Sequence, residues 1–377
     1  MLVFACVAIA LLLTALPVGL FLKNTKLFTT SPADTESLQK AESIRLSVCI
    51  PARNEAKSIG NSLKHLVEST HSDFEILVMD DNSEDNTAAI VEECMARSNR
   101  VRLLKSAPLP LGWNGKQFAC WQLAKEAKNE WIMFVDADVR VSPDALTRCI
   151  AEQQSKGTPL VSGFPRQVTG TWSEKLLIPM MHYVLLCFLP IDRMRASAMP
   201  GFAAGCGQLF LANRETYLAV GGHSAIAGSR HDGIQLPRAF RRQGYATDIF
   251  DASDIVSCRM YENIGQVQTG LLKNAYEGIA NPKLILPFTV LLLGGTLLPL
   301  LLTTVAIANA WPLWSITTLA VLSLASWIPR LVAARKFRQS WFGALCHPIA
   351  LVWFVVLQWI ALIQGLLGIK VTWRGRL

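Results

Sequence analysis

Two carboxylates spaced one residue apart, Asp136 and Asp138, close the apolar run Trp131-Ile132-Met133-Phe134-Val135. A buried strand that runs into two acids sets a rigid acidic pair at a sheet edge. Oxygen ligands of this kind suit Mg²⁺ or Mn²⁺ and leave coordination positions open for phosphate oxygens. The same spacing also ends an ordinary strand in a turn, so by itself it leaves both readings standing. Other polar clusters recur in similar places. Pro51-Ala52-Arg53-Asn54-Glu55 follows the apolar run Leu46 to Ile50, and Asp80-Asp81-Asn82-Ser83 follows Ile76 to Met79. Lys116 ends a Pro/Gly-rich stretch where a helical pattern begins, and there an ammonium and free backbone N–H groups can both face phosphate. The plainer alternative for Lys116 is an exposed lysine at a helix terminus.

These clusters need strands and helices to hold them. From Ile44, short apolar runs (Leu46 to Ile50, Ile76 to Met79, Val101 to Leu104, Trp131 to Val135) alternate with helical patterns near Ser58 to Glu68, Thr87 to Arg97 and Gln117 to Lys128. That order predicts an α/β domain over 44–280 with a mostly parallel central sheet and helices on both faces. Ligands bind such sheets at the carboxyl ends of the strands, where every polar cluster in this half falls. Ser142-Pro143 opens a further helix over Asp144 to Lys156.

The rest of the chain is strongly apolar. The sequence is 51% hydrophobic and 17% charged, and the apolar residues are concentrated in blocks. Leu2 to Leu22 has no charge and reads as an uncleaved anchor over 1–22, because no basic segment precedes it as in a signal peptide. The polar stretch within 23–43 reads as a linker. Beyond 281 the sequence predicts a membrane region with a hairpin over 284–329 turning at Asn309-Ala310-Trp311-Pro312, a basic loop over 330–338 and a further apolar segment over 339–369. That last segment is too short for two crossings, so it is read as re-entrant near His347-Pro348 or as ending in a basic tail on the far side. No span carries Asp, Glu, Lys or Arg in its interior on this division, which argues against a transporter. Leu176 to Pro190 is apolar but short, and fits either a core helix or one lying in the membrane surface.

The net charge of +8 does not point to nucleic acid, since no dense basic stripe with aromatics stands out. Much of the excess flanks apolar spans, at Lys23 and Lys26, at Arg330 to Arg338 and at Lys370, Arg374 and Arg376. Such flanks favour the cytoplasmic side. Nine cysteines without Cys-x-x-Cys spacing suit a reducing compartment and argue against zinc.

Taken together, Ser47-Val48-Cys49-Ile50-Pro51-Ala52-Arg53-Asn54-Glu55, Asp80-Asp81, Asp136-Ala137-Asp138 and His231-Asp232-Gly233 resemble the inverting family 2 glycosyltransferases, whose catalytic domain has the GT-A fold. The resemblance runs from Leu46 to about Gly278. It implies that Pro51, Arg53 and Glu55 lie around the base and ribose of a nucleotide-sugar, and that Asp81 accepts from the base. It also implies that Asp138 directly holds Mg²⁺ or Mn²⁺ under the diphosphate, with Asp136 nearer the ribose or the metal, while Lys116 can face phosphate. Asp232 stands where the family's general base stands, although His231 replaces the acid that usually precedes it. The plainer reading of Asp232 is a helix cap. The Gln/Arg-x-x-Arg-Trp motif of processive synthases is absent, which favours a single transfer. The segments from Pro108 through Lys116, Arg259-Met260-Tyr261 and Val371 to Arg376 are similar to the hopanoid-associated and carotenoid-acid subgroup, with ceramide glucosyltransferases more distant.

The sequence therefore predicts a multi-pass protein of the bacterial inner membrane with a cytoplasmic catalytic domain. It would move one sugar from a nucleotide-sugar, a UDP-sugar by preference, to a lipid hydroxyl or carboxyl. The competing expectation is a non-catalytic nucleotide-sugar-binding scaffold of a lipid-biosynthesis complex.

Overall fold

The computed structural model describes residues 1–369, and the chain divides into two compact units. One comprises Phe28–Val168 and Ile191–Met260; the other comprises Met1–Leu27, Thr169–Pro190 and Tyr261–Leu377. The basic tail Lys370, Arg374 and Arg376, with the Val371 to Arg376 likeness, lies outside the described residues.

The first unit is built on a seven-stranded sheet. Its strands are β1 (Leu46–Ala52), β2 (Phe74–Asp80), β3 (Val101–Lys105), β4 (Trp131–Val135), β6 (Leu160–Phe164), β8 (Leu209–Asn213) and β9 (Thr247–Asp251). A small second sheet holds β5 (Val139–Val141), β7 (Arg166–Gln167) and β10 (Val256–Cys258). The main order is β3-β2-β1-β4-β8-β6-β9, and only β8 runs antiparallel to its neighbours. Alternation along the strands explains why both faces are covered. Leu46, Val48 and Ile50 pack with Ile59, Leu63, Leu66 and Val91 on one face, while Cys49, Leu77, Ile132 and Phe134 pack with Ala119, Leu123 and Tyr217 on the other. Successive side chains of a strand point to opposite faces, so continuous apolar runs are what a doubly covered sheet requires. Since β2, β1 and β4 are parallel neighbours, their carboxyl ends share one edge.

The stretch read as a linker is folded instead. The first helix continues to Leu27, and Thr35–Glu42 forms another whose cap, Asp34, accepts from Ser37 N at 2.9 Å. Few apolar residues announce this helix because its hold on the domain is largely polar. Glu42 accepts from Ser72 N at 2.6 Å and from Thr147 Oγ1 at 3.0 Å, and Asp251 N donates to Thr29 O at 2.9 Å.

The second unit is helical. Four of its helical stretches, Leu2–Leu27, Ile285–Ala308, Leu313–Lys336 and His347–Leu366, are long and apolar enough to cross a membrane. The turn at Asn309 to Pro312 is where the sequence places it, with Ala310 at φ 47°. Thr14 Oγ1 donates to Gly295 O at 3.0 Å, where a Cβ on Gly295 would run into the Leu13 carbonyl, so the first and second long helices touch backbone to backbone.

Three expectations change here. The basic loop over 330–338 is largely a helix, Ile328–Lys336, which begins with Pro329 in its first turn and carries Arg330 into the packing at 1% exposure. A span therefore does hold a buried cation. The segment expected to be re-entrant is a short helix, Trp341–Leu345, followed by the 20-residue helix His347–Leu366, because Pro348 occupies a first turn and breaks nothing. Leu176 to Pro190 lies in two short helices, Trp172–Leu177 and Met180–Phe188, packed among the apolar helices. His182 stacks on Phe337 with centroids 4.5 Å apart, and Asn24 Nδ2 donates to Leu186 O at 2.8 Å. That contact pulls 169–190 out of the α/β domain expected over 44–280.

Gly163 on β6 sets a limit on core volume, since a Cβ there would meet Leu209, Phe250 and Ala252 at 2.5 to 2.9 Å. Gly163→Ala is expected to destabilise the α/β unit by about 1–3 kcal/mol through overpacking, read as a lowered thermal midpoint.

Candidate functional site

The loops after β1 and β2 are zipped together. Asp81 N donates to Ala52 O at 2.8 Å, and Arg53 Nη1 donates to Asp81 O at 2.7 Å and Asn82 O at 2.9 Å. Arg53 Nη2 reaches Glu84 Oε1 at 3.3 Å. Asn54 and Asn82 both sit at φ 53°, the left-handed region that asparagine tolerates best among residues with a Cβ. In that geometry Asn54 Oδ1 accepts from Glu84 N at 2.8 Å, and Glu55 N donates to Thr87 Oγ1 at 2.8 Å. Pro51 still belongs to β1, paired with Met79. Arg53, Glu55 and Asp81 thus form one connected rim at the sheet edge, with Arg53 as its clasp.

The second cluster forms beside β4. Asn114 caps the helix Gly115–Glu126 by accepting from Lys116 N at 3.1 Å, and Asn114 N is itself held by Ala227 O at 2.7 Å. So fixed, Lys116 sends its ammonium to three oxygens: Asp136 Oδ1 at 2.6 Å, Asp232 Oδ2 at 2.9 Å and Gly207 O at 3.2 Å. Asp232 opens the helix Asp232–Arg242, and its Oδ1 accepts from Gly233 N at 2.8 Å. One carboxylate oxygen therefore holds the helix start and the other faces Lys116, so capping and a chemical role are compatible. A Cβ on Gly207 would overlap the Asp232 carboxylate, which explains the glycine.

The charges in this cluster set one another. Burial pushes the Asp136 carboxyl up to about 6; Lys116 opposes this, while Asp138 and Asp232 add to it. Burial also acts to raise Asp232, but the Lys116 ammonium more than offsets it and holds that carboxyl at about 2. Burial disfavours the Lys116 charge, yet Asp136 and Asp232 outweigh it and lift the amine well above its ordinary value. The side chains of Lys116 and Asp136 remain 32% and 26% exposed, so the cluster opens to solvent.

Asp138 hydrogen-bonds the Cys258 thiol, whose sulfur also accepts from Gln208 Nε2 at 2.8 Å. Gln208 in turn accepts from Gln167 Nε2 at 2.7 Å. Gly207, Gln208 and Cys258 received no role from sequence; the only hint was the run Gly205-Cys206-Gly207-Gln208. His223 is structural, since Nδ1 contacts Tyr217 OH at 2.6 Å and burial pushes its pKa down to about 3. Among the described residues no group of three His, Cys, Asp or Glu is gathered for a metal. The crowded pair Asp136 and Asp138 is nevertheless a hard-oxygen donor set that a divalent cation suits, its other positions falling to phosphate oxygens or water.

Residues 47–217 match the family described as "Glycosyl transferase family 2". This domain belongs to glycosyl transferase family 2. Among its relatives is the 4,4'-diaponeurosporenoate glycosyltransferase of Staphylococcus aureus (strain MRSA252), 31% identical over 245 residues, which are 63% of this chain and 62% of that protein. The same-named protein of strain USA300 is 28% identical over 318 residues, 82% of this chain and 81% of the relative. The alignment with the first thus spans less than two thirds of its length. Among solved structures, the mannosyltransferase PcManGT from Pyrobaculum calidifontis, in complex with GDP-Man and Mn²⁺, superposes with a TM-score of 0.53 at 19% identity. It covers 97% of this chain and 98% of that one, and shows a shared fold.

Because Arg53 clasps both rim loops of the family 2 domain, Arg53→Ala is expected to cost about 1.5–3 kcal/mol and loosen the 80–87 loop. Faster amide hydrogen exchange over those residues, with the sheet unchanged, is the readout.

Proposed function

We propose that this chain transfers a single glycosyl group, with inversion, from a UDP-sugar to an apolar acceptor bearing a carboxyl or hydroxyl group. The observation that carries the reading is the convergence of Asp136, at the end of β4, and Asp232, at the start of a distant helix, on the one ammonium of Lys116.

In this reading the rim of Pro51, Arg53, Glu55 and Asp81 takes the nucleoside, Asp81 accepting an imide N–H of the base. Asp138, with Asp136, would hold Mg²⁺ or Mn²⁺, which when bound neutralises the departing diphosphate. Lys116 supports the same phosphates and keeps Asp232 ionised. Asp232 Oδ2 takes the proton of a hydroxyl acceptor as its oxygen attacks the anomeric carbon. A carboxylic acceptor arrives already ionised at neutral pH, and Asp232 then only orients it. Attack opposite the leaving diphosphate inverts the anomeric centre.

The acid named in the Staphylococcus relatives favours a carotenoid-acid type of acceptor over a hopanoid one. Such a molecule partitions into lipid, which suits a chain whose described residues include four apolar helices of spanning length. The basic flank Lys23 and Lys26 supports a cytoplasmic catalytic domain at a bacterial inner membrane.

The direct test incubates purified protein with UDP-sugars, Mn²⁺ or Mg²⁺ and an apolar carboxylic or hydroxyl acceptor. Product is expected, and Asp138→Ala or Asp232→Asn should lower turnover at least about a hundredfold; undiminished turnover in either variant would overturn its assigned role. Lys116→Met should move the acid limb of the pH–rate profile. Asp232 is held at about 2 by Lys116, below its ordinary 3.8, so its ionised form persists until pH falls through 2. Without the ammonium, the effect of burial, which acts to raise it, is no longer offset by Lys116, and activity with a hydroxyl acceptor should fail at a higher pH than in the parent protein.

A further inference from the structure

Arg330 is the deepest cation of the helical unit, 1% exposed on the helix Ile328–Lys336. Its Nη2 donates to Gly343 O at 3.1 Å. Its Nε and Nη1, which carry three further N–H bonds, have no hydrogen-bond partner among the described residues. No carboxylate pairs with it among those residues either. Gly343 is required by the Lys175 carbonyl, which a Cβ there would overlap, and this close approach fixes the Gly343 carbonyl that receives Arg330.

The surroundings are polar in an apolar shell. His347 is fully buried, with Nε2 3.3 Å from Thr296 Oγ1 and Nδ1 unpartnered. The Tyr183 ring lies against it, centroids 4.7 Å apart. Tyr183, His182 and His347 are all within electrostatic reach of Arg330. A buried guanidinium with most of its donors unused is strongly disfavoured unless an anion meets it. Intramembrane cations characteristically mark binding sites.

We propose that Arg330 is a binding site for the anionic oxygen head of an amphiphile, a carboxylate or a phosphate monoanion carried on an apolar chain. A guanidinium is the side chain best suited to either head. An apolar chain is required because a free inorganic anion would have to shed its water to pass between apolar helices, whereas an amphiphile keeps its tail among Leu and Val side chains and brings only the head to Arg330. Such a site belongs to a different unit from Asp232 and Lys116, and it is read without the transfer reaction.

The test uses the full chain in a neutral maltoside detergent, with oleate and dioleoylphosphatidylglycerol as separate probes and phosphatidylcholine as the uncharged control. Native mass spectrometry should show saturable one-to-one binding of at least one anionic probe, weakened at least about tenfold in Arg330→Gln and less in Arg330→Lys. Oleate alone would identify a carboxylate site, and phosphatidylglycerol alone a lipid headgroup site. UDP binding by the variants, which belongs to the other unit, verifies folding. Should Arg330→Gln fail to fold, a diazirine-bearing fatty acid on the parent protein should crosslink within Ile328–Leu345. Equal binding by the parent and Arg330→Gln, no saturable binding, or crosslinks confined elsewhere would overturn the proposal, whatever the outcome of the transfer assay.

Discussion

The ammonium of Lys116 is the point on which the charged cluster of the α/β unit depends. Two carboxylates from distant parts of the chain, Asp136 and Asp232, approach it at 2.6 and 2.9 Å. Without that cation they would repel each other in a half-buried site, and one of them would take up a proton. With it, Asp232 is held ionised while Asp136 stays easily protonated, so two similar acids have opposite electrostatic characters. Pairs of acids whose environments push their pKa values apart are what acid–base chemistry at neutral pH requires.

Everything around the site serves to aim that ammonium. Asn114 caps the helix and is tied to Ala227, the bare Cα of Gly207 makes room for the Asp232 carboxylate, and Gly233 N fixes its other oxygen. The parallel neighbours β2, β1 and β4 bring the rim of Arg53, Glu55 and Asp81 to the same edge. A network from Gln167 through Gln208 to Cys258 supports Asp138 from behind. Rigid support of this kind lets a loop-borne site keep its geometry.

The helical unit shows a different balance. Its packing relies on backbone approach at Gly295 and Gly343 and on buried polar side chains such as Asn24, which satisfies two carbonyls of the Met180–Phe188 helix and its end. Most of these polar groups find partners. Arg330 keeps donors in reserve, which separates it from the groups that only hold helices together.

The alternation of strands and helices along the chain, the helices that cover both sheet faces and the apolar spans were legible in sequence, because each rests on local pattern: the continuous buried run Leu46 to Ile50, and the long hydrophobic stretch Ile285–Ala308. The placement of Asp81, Asp136 and Asp138 just after strand ends was legible too, since each follows an apolar run within a few residues. What sequence left undecided depended on contacts between distant segments. Whether Asp232 capped a helix or faced a cation, whether Lys116 was solvated, and whether Arg330 belonged to a loop were settled only when Gly207, Asp136 and Gly343 came beside them. Polar tethering folded the Thr35–Glu42 helix where no apolar stripe announced it. Periodicity is a property of neighbours along the chain, whereas the partner of a charge is chosen in three dimensions. Residue types therefore determined what chemistry was possible here, and tertiary structure decided which charges meet.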